Sequence, residues 1–196
     1  HYFSIQVHVL ISGNVGTGKS YTMFAIIGQL LQVTKFVYII DPKRSDLAGL
    51  KHVPELKNNV FSVASEINQA VIDFYTKMMA RAEKIEAIKV SGQVGTYKDF
   101  GFTPYFLVFD EFGAYYEMND RLAYDDPTKA SYETAMSNLR EIAMLGRELG
   151  FYILIGMQRP DAGTLPMAIR NQLNMRINMG VPTPEIEKMV FPDNEK

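Results

Sequence analysis

The chain has no cysteine among its 196 residues. That excludes disulfides and thiolate metal sites, and it fits a reducing compartment. Histidine is nearly as scarce, with three at positions 1, 8 and 52 and none of the spacing of a metal-ligand set. No apolar run approaches the ~20 residues needed to cross a bilayer. The apolar start leads straight into a loop motif, which argues against a signal peptide. Positive charge is not in excess either. Lys and Arg number 20 against 22 Asp and Glu, the net charge is −2 and the pI is about 6.0. No basic surface announces nucleic acid. Internal repeats and low-complexity segments are missing as well. What remains is 47% hydrophobic and 21% charged residues, ordinary for a globular chain and enough for one well-cored domain.

Against that plain background one motif stands out. Gly13-Asn14-Val15-Gly16-Thr17-Gly18-Lys19-Ser20 is a complete Walker A loop. Val7 to Ser12 before it reads as a buried strand. Lys19 to Leu31 after it is helix-compatible, with Met23, Phe24, Ile26, Ile27, Leu30 and Leu31 apolar. A strand before and a helix after is the context that gives the pattern a mechanism. The glycines let successive N–H groups curl toward phosphate oxygens, and the helix N-terminus adds partial positive charge. Lys19 can reach the β- and γ-phosphates, and the Ser20 hydroxyl can ligate Mg²⁺. Tyr21, next on the helix, is grouped with these residues. The competing account, a Gly-rich turn before an ordinary helix, leaves the lysine and serine unexplained. The chain reads as a binder of ATP with Mg²⁺.

Strand signals recur between helical ones. Phe36 to Asp41 is β-rich and ends in an acid, then Pro42. A loop leads to a short apolar step, Val60 to Val63, after which Ser65 is expected to cap a helix. There Ile67, Ala70, Val71, Phe74, Met78, Ala82 and Ile85 fall at helical spacing. Ser91 to Pro104 is a polar, Gly-bearing loop, and Tyr105 to Asp110 is the clearest buried strand. Asn119 to Pro127 reads as a charged connector and Thr128 to Leu149 as a long helix. Phe151 to Gly156 is a further strand. A short helix around Pro166 to Leu173 and a last strand, Met175 to Met179, complete the pattern. Alternating strands and helices imply an α/β fold with a parallel sheet, right-handed crossovers and a ligand at the carboxyl ends of its strands.

Asp110-Glu111, at the end of an apolar strand, is what a P-loop ATPase needs next. Asp110 would hold the Mg²⁺ shell and Glu111 would polarise the attacking water. Two solvated carboxylates at a strand end are the plainer account. Gln158 also follows a strand; it can sense a γ-phosphate through its amide or be an ordinary loop residue. Arg147 falls at the end of the long helix, where a cation favourably meets the helix dipole.

Six blocks together resemble a known family. They are residues 13–20, Ile-Asp-Pro-Lys (40–43), Val-Phe-Asp-Glu-Phe (108–112), Leu-Gly-Arg-Glu-Leu-Gly-Phe (145–151), Met-Gln-Arg-Pro-Asp (157–161) and Ile-Arg-Asn-Gln-Leu-Asn-Met-Arg-Ile (169–177). The series looks like the FtsK/SpoIIIE-type motor domain of the additional-strand P-loop ATPases. It is most similar to the TcpA-like coupling proteins of Gram-positive conjugative plasmids and integrative elements. The resemblance implies a RecA-like core with the Gln158 strand between the Walker A and Walker B strands. It also implies a homo-hexameric ring and ATP-driven movement of DNA, single- or double-stranded. By position Gln158 matches the family's polar sensor, and Arg147 the arginine offered to a neighbour's nucleotide. A pore could confine the basic groups that the net charge does not reveal. Lys98, beside Tyr97 and after Gly92 and Gly95, is a candidate pore-loop contact or simply a solvated lysine.

The same resemblance implies a cytoplasmic domain, residues 1–196, cut from a larger protein anchored at the membrane and working with other conjugation or secretion components. The start at His1, almost on top of the first strand, fits an excised piece. FtsK's longer segment before the Walker B strand and its winged-helix domain have no counterpart in these blocks. The alternative is a type VII protein-secretion ATPase of the EccC/EssC kind. Those usually carry several motor domains in tandem, often with degraded motifs.

Overall fold

The computed structural model describes residues 7–191. Among these residues six strands form one parallel sheet: β1 (Val9–Gly13), β2 (Val37–Ile40), β3 (Val60–Phe61), β4 (Tyr105–Phe109), β5 (Phe151–Met157) and β6 (Met175–Met179), in the order β3-β2-β4-β5-β1-β6. Each of β1, β2, β4 and β5 is buried on both faces, or nearly so. Near-continuous apolar runs are what such strands require.

Alternate residues feed two cores. Leu10, Ile40, Leu107, Phe109, Ile153 and Ile155 face α2 (Ala64–Val90), α3 (Phe112–Asp120) and α4 (Pro127–Leu149). Val9, Ile11, Ile39, Val108 and Leu154 face α1 (Lys19–Leu31) and two 3-10 segments, Asp46–His52 and Pro54–Leu56. Two short helices, α5 (Met167–Arg170) and α6 (Pro184–Val190), flank β6. A fully buried Leu, Ile or Phe contributes about 1.5–3 kcal/mol, so this double-sided packing fixes the strand ends rigidly.

The register aligns the strand ends. Ile40 lies opposite Phe109, Phe109 opposite Ile155, and Met157 opposite Ser12. The residues that leave β1, β2, β4 and β5 therefore emerge side by side at one edge. β5 lies between β1 and β4, as the resemblance implied.

Four expectations are corrected. Ser65 does not cap α2: the helix starts one residue earlier, at Ala64, out of extended Val63 and with no side-chain cap. The charged connector does not begin at Asn119: that residue and Asp120 close a helix, α3, which starts at Phe112 and buries Phe112, Tyr115 and Asn119. Tyr115 Oη donates to Asn68 Oδ1 at 2.8 Å, and Asn68 Nδ2 donates to Asn119 Oδ1 at 3.4 Å, tying α3 to α2. The long helix takes in Pro127 at its start, capped by Asp126, whose carboxylate accepts from the Thr128 N–H at 2.8 Å. Finally, Tyr97 is buried at 4% exposure, and its hydroxyl lies 3.2 Å from that of Tyr152 on β5. Its ring is core, with Lys98 Nζ 5.9 Å from the ring centroid, so the ring is not offered to DNA as a pore loop would require.

Candidate nucleotide site

The Walker A loop leaves β1 at Gly13 and enters α1 at Lys19. Gly16 and Gly18 have φ of 82° and 88°, a region where side chains are strained. Thr17 closes the turn, its backbone N–H and Oγ1 both donating to the Asn14 carbonyl. The β6 end supports the loop from below: a Cβ on Gly13 would meet Thr17 Oγ1 at 2.7 Å and Met179 Cβ at 2.8 Å. The first turn of α1 carries no acidic residue and no side-chain cap. Its N–H groups and positive dipole end are thus left for an anion.

Asp110 and Glu111 follow β4 directly. Glu111 sits at φ 59°, a left-handed conformation costing on the order of 1–3 kcal/mol in a residue with a side chain. That turn places its carboxylate against β5, where Oε1 accepts from the Gln158 backbone N–H at 3.3 Å. Lys19 Nζ lies 2.7 Å from Asp110 Oδ1 and 3.8 Å from Glu111 Oε2. All three side chains are nearly buried, at 6–12% exposure. In so shielded a site these attractions are much stronger than on the surface.

A cavity of about 380 Å³ joins these groups, lined by Gly13 to Gly16, Gly18 to Tyr21, Asp110, Glu111 and Gln158. Thr17, expected with these residues, is not in the lining. Val15 and Tyr21 stand at its mouth, 86% and 83% exposed. Lys43 and Ser45, from the loop after β2, complete the lining with Asp46. Their roles were not legible: Lys43 lies in a motif block, but nothing in spacing says it reaches Glu111, and Ser45 carries no signal at all.

The oxygen-rich set fits Mg²⁺. Asp110 and Glu111 set two carboxylates against the ammonium groups of Lys19 and Lys43, and the Ser20 hydroxyl adds a hard oxygen donor. No group of three or more acidic or His side chains among the described residues could hold a metal alone. That is how a Mg²⁺ shared with phosphates is bound, through one or two protein oxygens and several waters.

Arg147 is not part of this cavity. It lies in the last turn of α4, before β5 begins, at the opposite edge of the sheet. There it lines a second cavity of about 360 Å³ with Lys98, Tyr97 and Tyr152. Among the described residues it makes no ion pair within 4 Å. Its charge is felt by His8, fully buried at the start of β1. Burial first, and the Arg147 guanidinium second, lower the His8 pKa to about 4, with the Ala143 backbone pulling slightly the other way.

The FtsK/SpoIIIE family model matches residues 3–181. The chain is 32% identical over 189 residues to the FtsK domain-containing protein YdcQ of Bacillus subtilis (strain 168), covering 96% of this chain and 37% of that protein. It is 24% identical over 192 residues to the DNA translocase FtsK of Chlamydia pneumoniae, covering 89% of this chain and 22% of that one. It therefore spans well under half the length of these relatives. Among solved structures, the conjugation coupling protein TcpA of pCW3, a monomer form with ATPgS, superposes with a TM-score of 0.76 at 23% identity, over 95% of this chain and 52% of that one. EssC (ATPases 2 and 3) from Geobacillus thermodenitrificans gives 0.70 at 18%, over 98% and 36%. With the family model covering nearly all of it, this chain belongs to the FtsK/SpoIIIE family.

Proposed function

We propose that this domain is an ATP-hydrolysing motor that moves DNA, serving as the motor of a conjugation coupling protein. The observation that carries the reading is the convergence of Lys19, Asp110, Glu111 and Gln158 on one cavity at the mouth of the Walker A loop. The loop's N–H groups and Lys19 bind the β- and γ-phosphates. Ser20 and Asp110 would hold Mg²⁺, which supplies Lewis-acid polarisation and charge neutralisation at the phosphates. Glu111, held at its Oε1 by the Gln158 N–H, orients a water against the γ-phosphate and takes its proton. Gln158, on the same strand end, registers the loss of that phosphate.

Arg147 lies at the other end of β5 from its own site, which suits a group supplied to a neighbour's nucleotide in a homo-hexameric ring. DNA as substrate is supported by the likeness to FtsK and by the blocks at Asp41–Lys43 and Gln158–Pro160, which look like the DNA-pumping branches. Attachment to the membrane would come through other parts of a longer protein.

The test is ATP turnover with and without single- and double-stranded DNA, with Lys19→Ala as the blank. Several-fold stimulation by either DNA is expected. Turnover that Lys19→Ala abolishes but neither DNA changes would overturn the DNA reading and favour a protein-secretion motor like EssC.

A further inference from the structure

Lys19 has two competing roles. Its ammonium is shared between Asp110 and Glu111, yet it is also the group that must meet the phosphates. A lysine drawn onto a nucleotide leaves both carboxylates, and something else must keep them aimed.

The loop after β2 is built to do so. Ser45 Oγ lies 3.2 Å from Asp110 Oδ2, the oxygen that Lys19 does not hold. Lys43 Nζ lies 3.8 Å from Glu111 Oε2. Between them Arg44 takes φ 53°, a left-handed turn that lets side chains two apart reach neighbouring carboxylates. The loop is itself anchored. Asp41 is fully buried and accepts from the Ala48 N–H at 2.8 Å, and both of its oxygens lie 3.1 Å from Ser45 Oγ. Ser45 has one proton for these acceptors, so it donates to Asp41 or to Asp110 at any moment and can pass between them as Asp110 takes up its metal-binding position.

We propose that Lys43 and Ser45 are positioning residues for hydrolysis: Lys43 holds Glu111, and Ser45 holds Asp110, once Lys19 has moved to the phosphates. The proposal rests on the ATPase reading above. A purely structural account is weak here. Lys43 is 48% exposed, and an ion pair of that exposure and length adds little to stability.

Four variants test it. Lys43→Met should lower kcat by about 10–100-fold, the scale of a misaimed catalytic group, with KM and the affinity for a fluorescent ATP analogue little changed. Lys43→Arg should restore much of kcat. Ser45→Ala should raise several-fold the Mg²⁺ concentration at which that analogue binds, leave Mg²⁺-free binding unchanged, and be rescued by Ser45→Thr. The binding measurement needs no turnover, so it remains decisive if the ATPase reading fails. Lys43→Met with wild-type kcat, or with KM raised and kcat intact, overturns the Lys43 role. Wild-type Mg²⁺ dependence in Ser45→Ala overturns the Ser45 role, and in neither case is ATP hydrolysis itself in question. Wild-type protein that binds nucleotide and never hydrolyses it would instead overturn the ATPase reading.

Discussion

His8 shows how one side chain can carry a pH dependence for the whole fold. It has no exposure to solvent. Its Nδ1 accepts from the Ile153 N–H at 3.0 Å, while Nε2 is buried without a partner in hydrogen-bonding geometry. The folded protein therefore keeps His8 neutral, with a pKa of about 4 against the 6.5 of an ordinary histidine. Between those values the unfolded chain binds more protons than the folded one, so stability falls as the pH drops from about 6.5 to about 4 and is fully retained above 6.5. The loss from this residue is on the order of 3 kcal/mol. His8→Asn keeps an acceptor for Ile153 and removes the titration. Urea unfolding across pH 4–7 should show a shallower decline for His8→Asn than for the wild type. Parallel declines would mean that the acid sensitivity comes from elsewhere.

At the scale of elements, the joint between α4 and β5 is the most demanding contact. Gly146 sits where the helix meets the strand that comes after it, and a Cβ there would overlap the Phe151 backbone carbonyl. Backbone cannot swing aside as a side chain tip can, so Gly146→Ala forces the two elements apart. Overpacking of that kind costs typically about 1–3 kcal/mol, at roughly 2–4 °C of Tm per kcal/mol for a domain of this size. A thermal melt unchanged from wild type would show that the helix end yields freely. The sequence announces Gly146 only as a member of a motif block, because close approach leaves no mark on periodicity. Much else at this scale was legible. The helix Lys19–Leu31 and the strand Met175–Met179 have the expected bounds, and the doubly buried strands could hardly be mistaken. α3 was hidden because it is short, begins after a left-handed Glu111 and contains Gly113, a poor helix former. The place of β5 between β1 and β4 came from the resemblance, since alternation alone allows many orders, and the places of the other strands carried no signal. Within the site, residues beside a strand end could be placed from the sequence. Lys43 and Ser45 could not, because their contacts depend on how a loop folds across the sheet edge.

At the scale of the whole molecule, the two edges of the sheet ask for a partner. Gln158 follows one end of β5 and Arg147 precedes the other. Seven strand residues at about 3.3 Å each put Arg147 roughly 20 Å or more from its own nucleotide. In the proposed ring, a contact between opposite edges of two copies is heterologous, and it closes when the rotation between copies divides a full turn. Exposed apolar groups flank both edges: Met144 and Leu145 beside Arg147, and Val15 and Tyr21 at the Walker loop. As a helix cap, Arg147 contributes about 0.3–1 kcal/mol. Arg147→Ala would then melt slightly lower and hydrolyse ATP normally. As a group supplied in trans it meets charge that develops in the transition state, worth on the order of 10³–10⁵ in rate. Arg147→Ala should then fold, bind ATP and fail to turn over. Specific activity of the wild type should rise with concentration as sedimentation shows assembly. The two roles separate most cleanly in mixtures. Glu111→Gln subunits keep Arg147 but cannot activate water, and Arg147→Ala subunits keep the Walker site but offer no finger. Mixed together, each Arg147→Ala site that faces a Glu111→Gln neighbour regains the missing guanidinium, so activity should return although neither variant has it alone. A mixture that stays inactive while sedimenting as mixed assemblies would show that Arg147 acts within its own subunit.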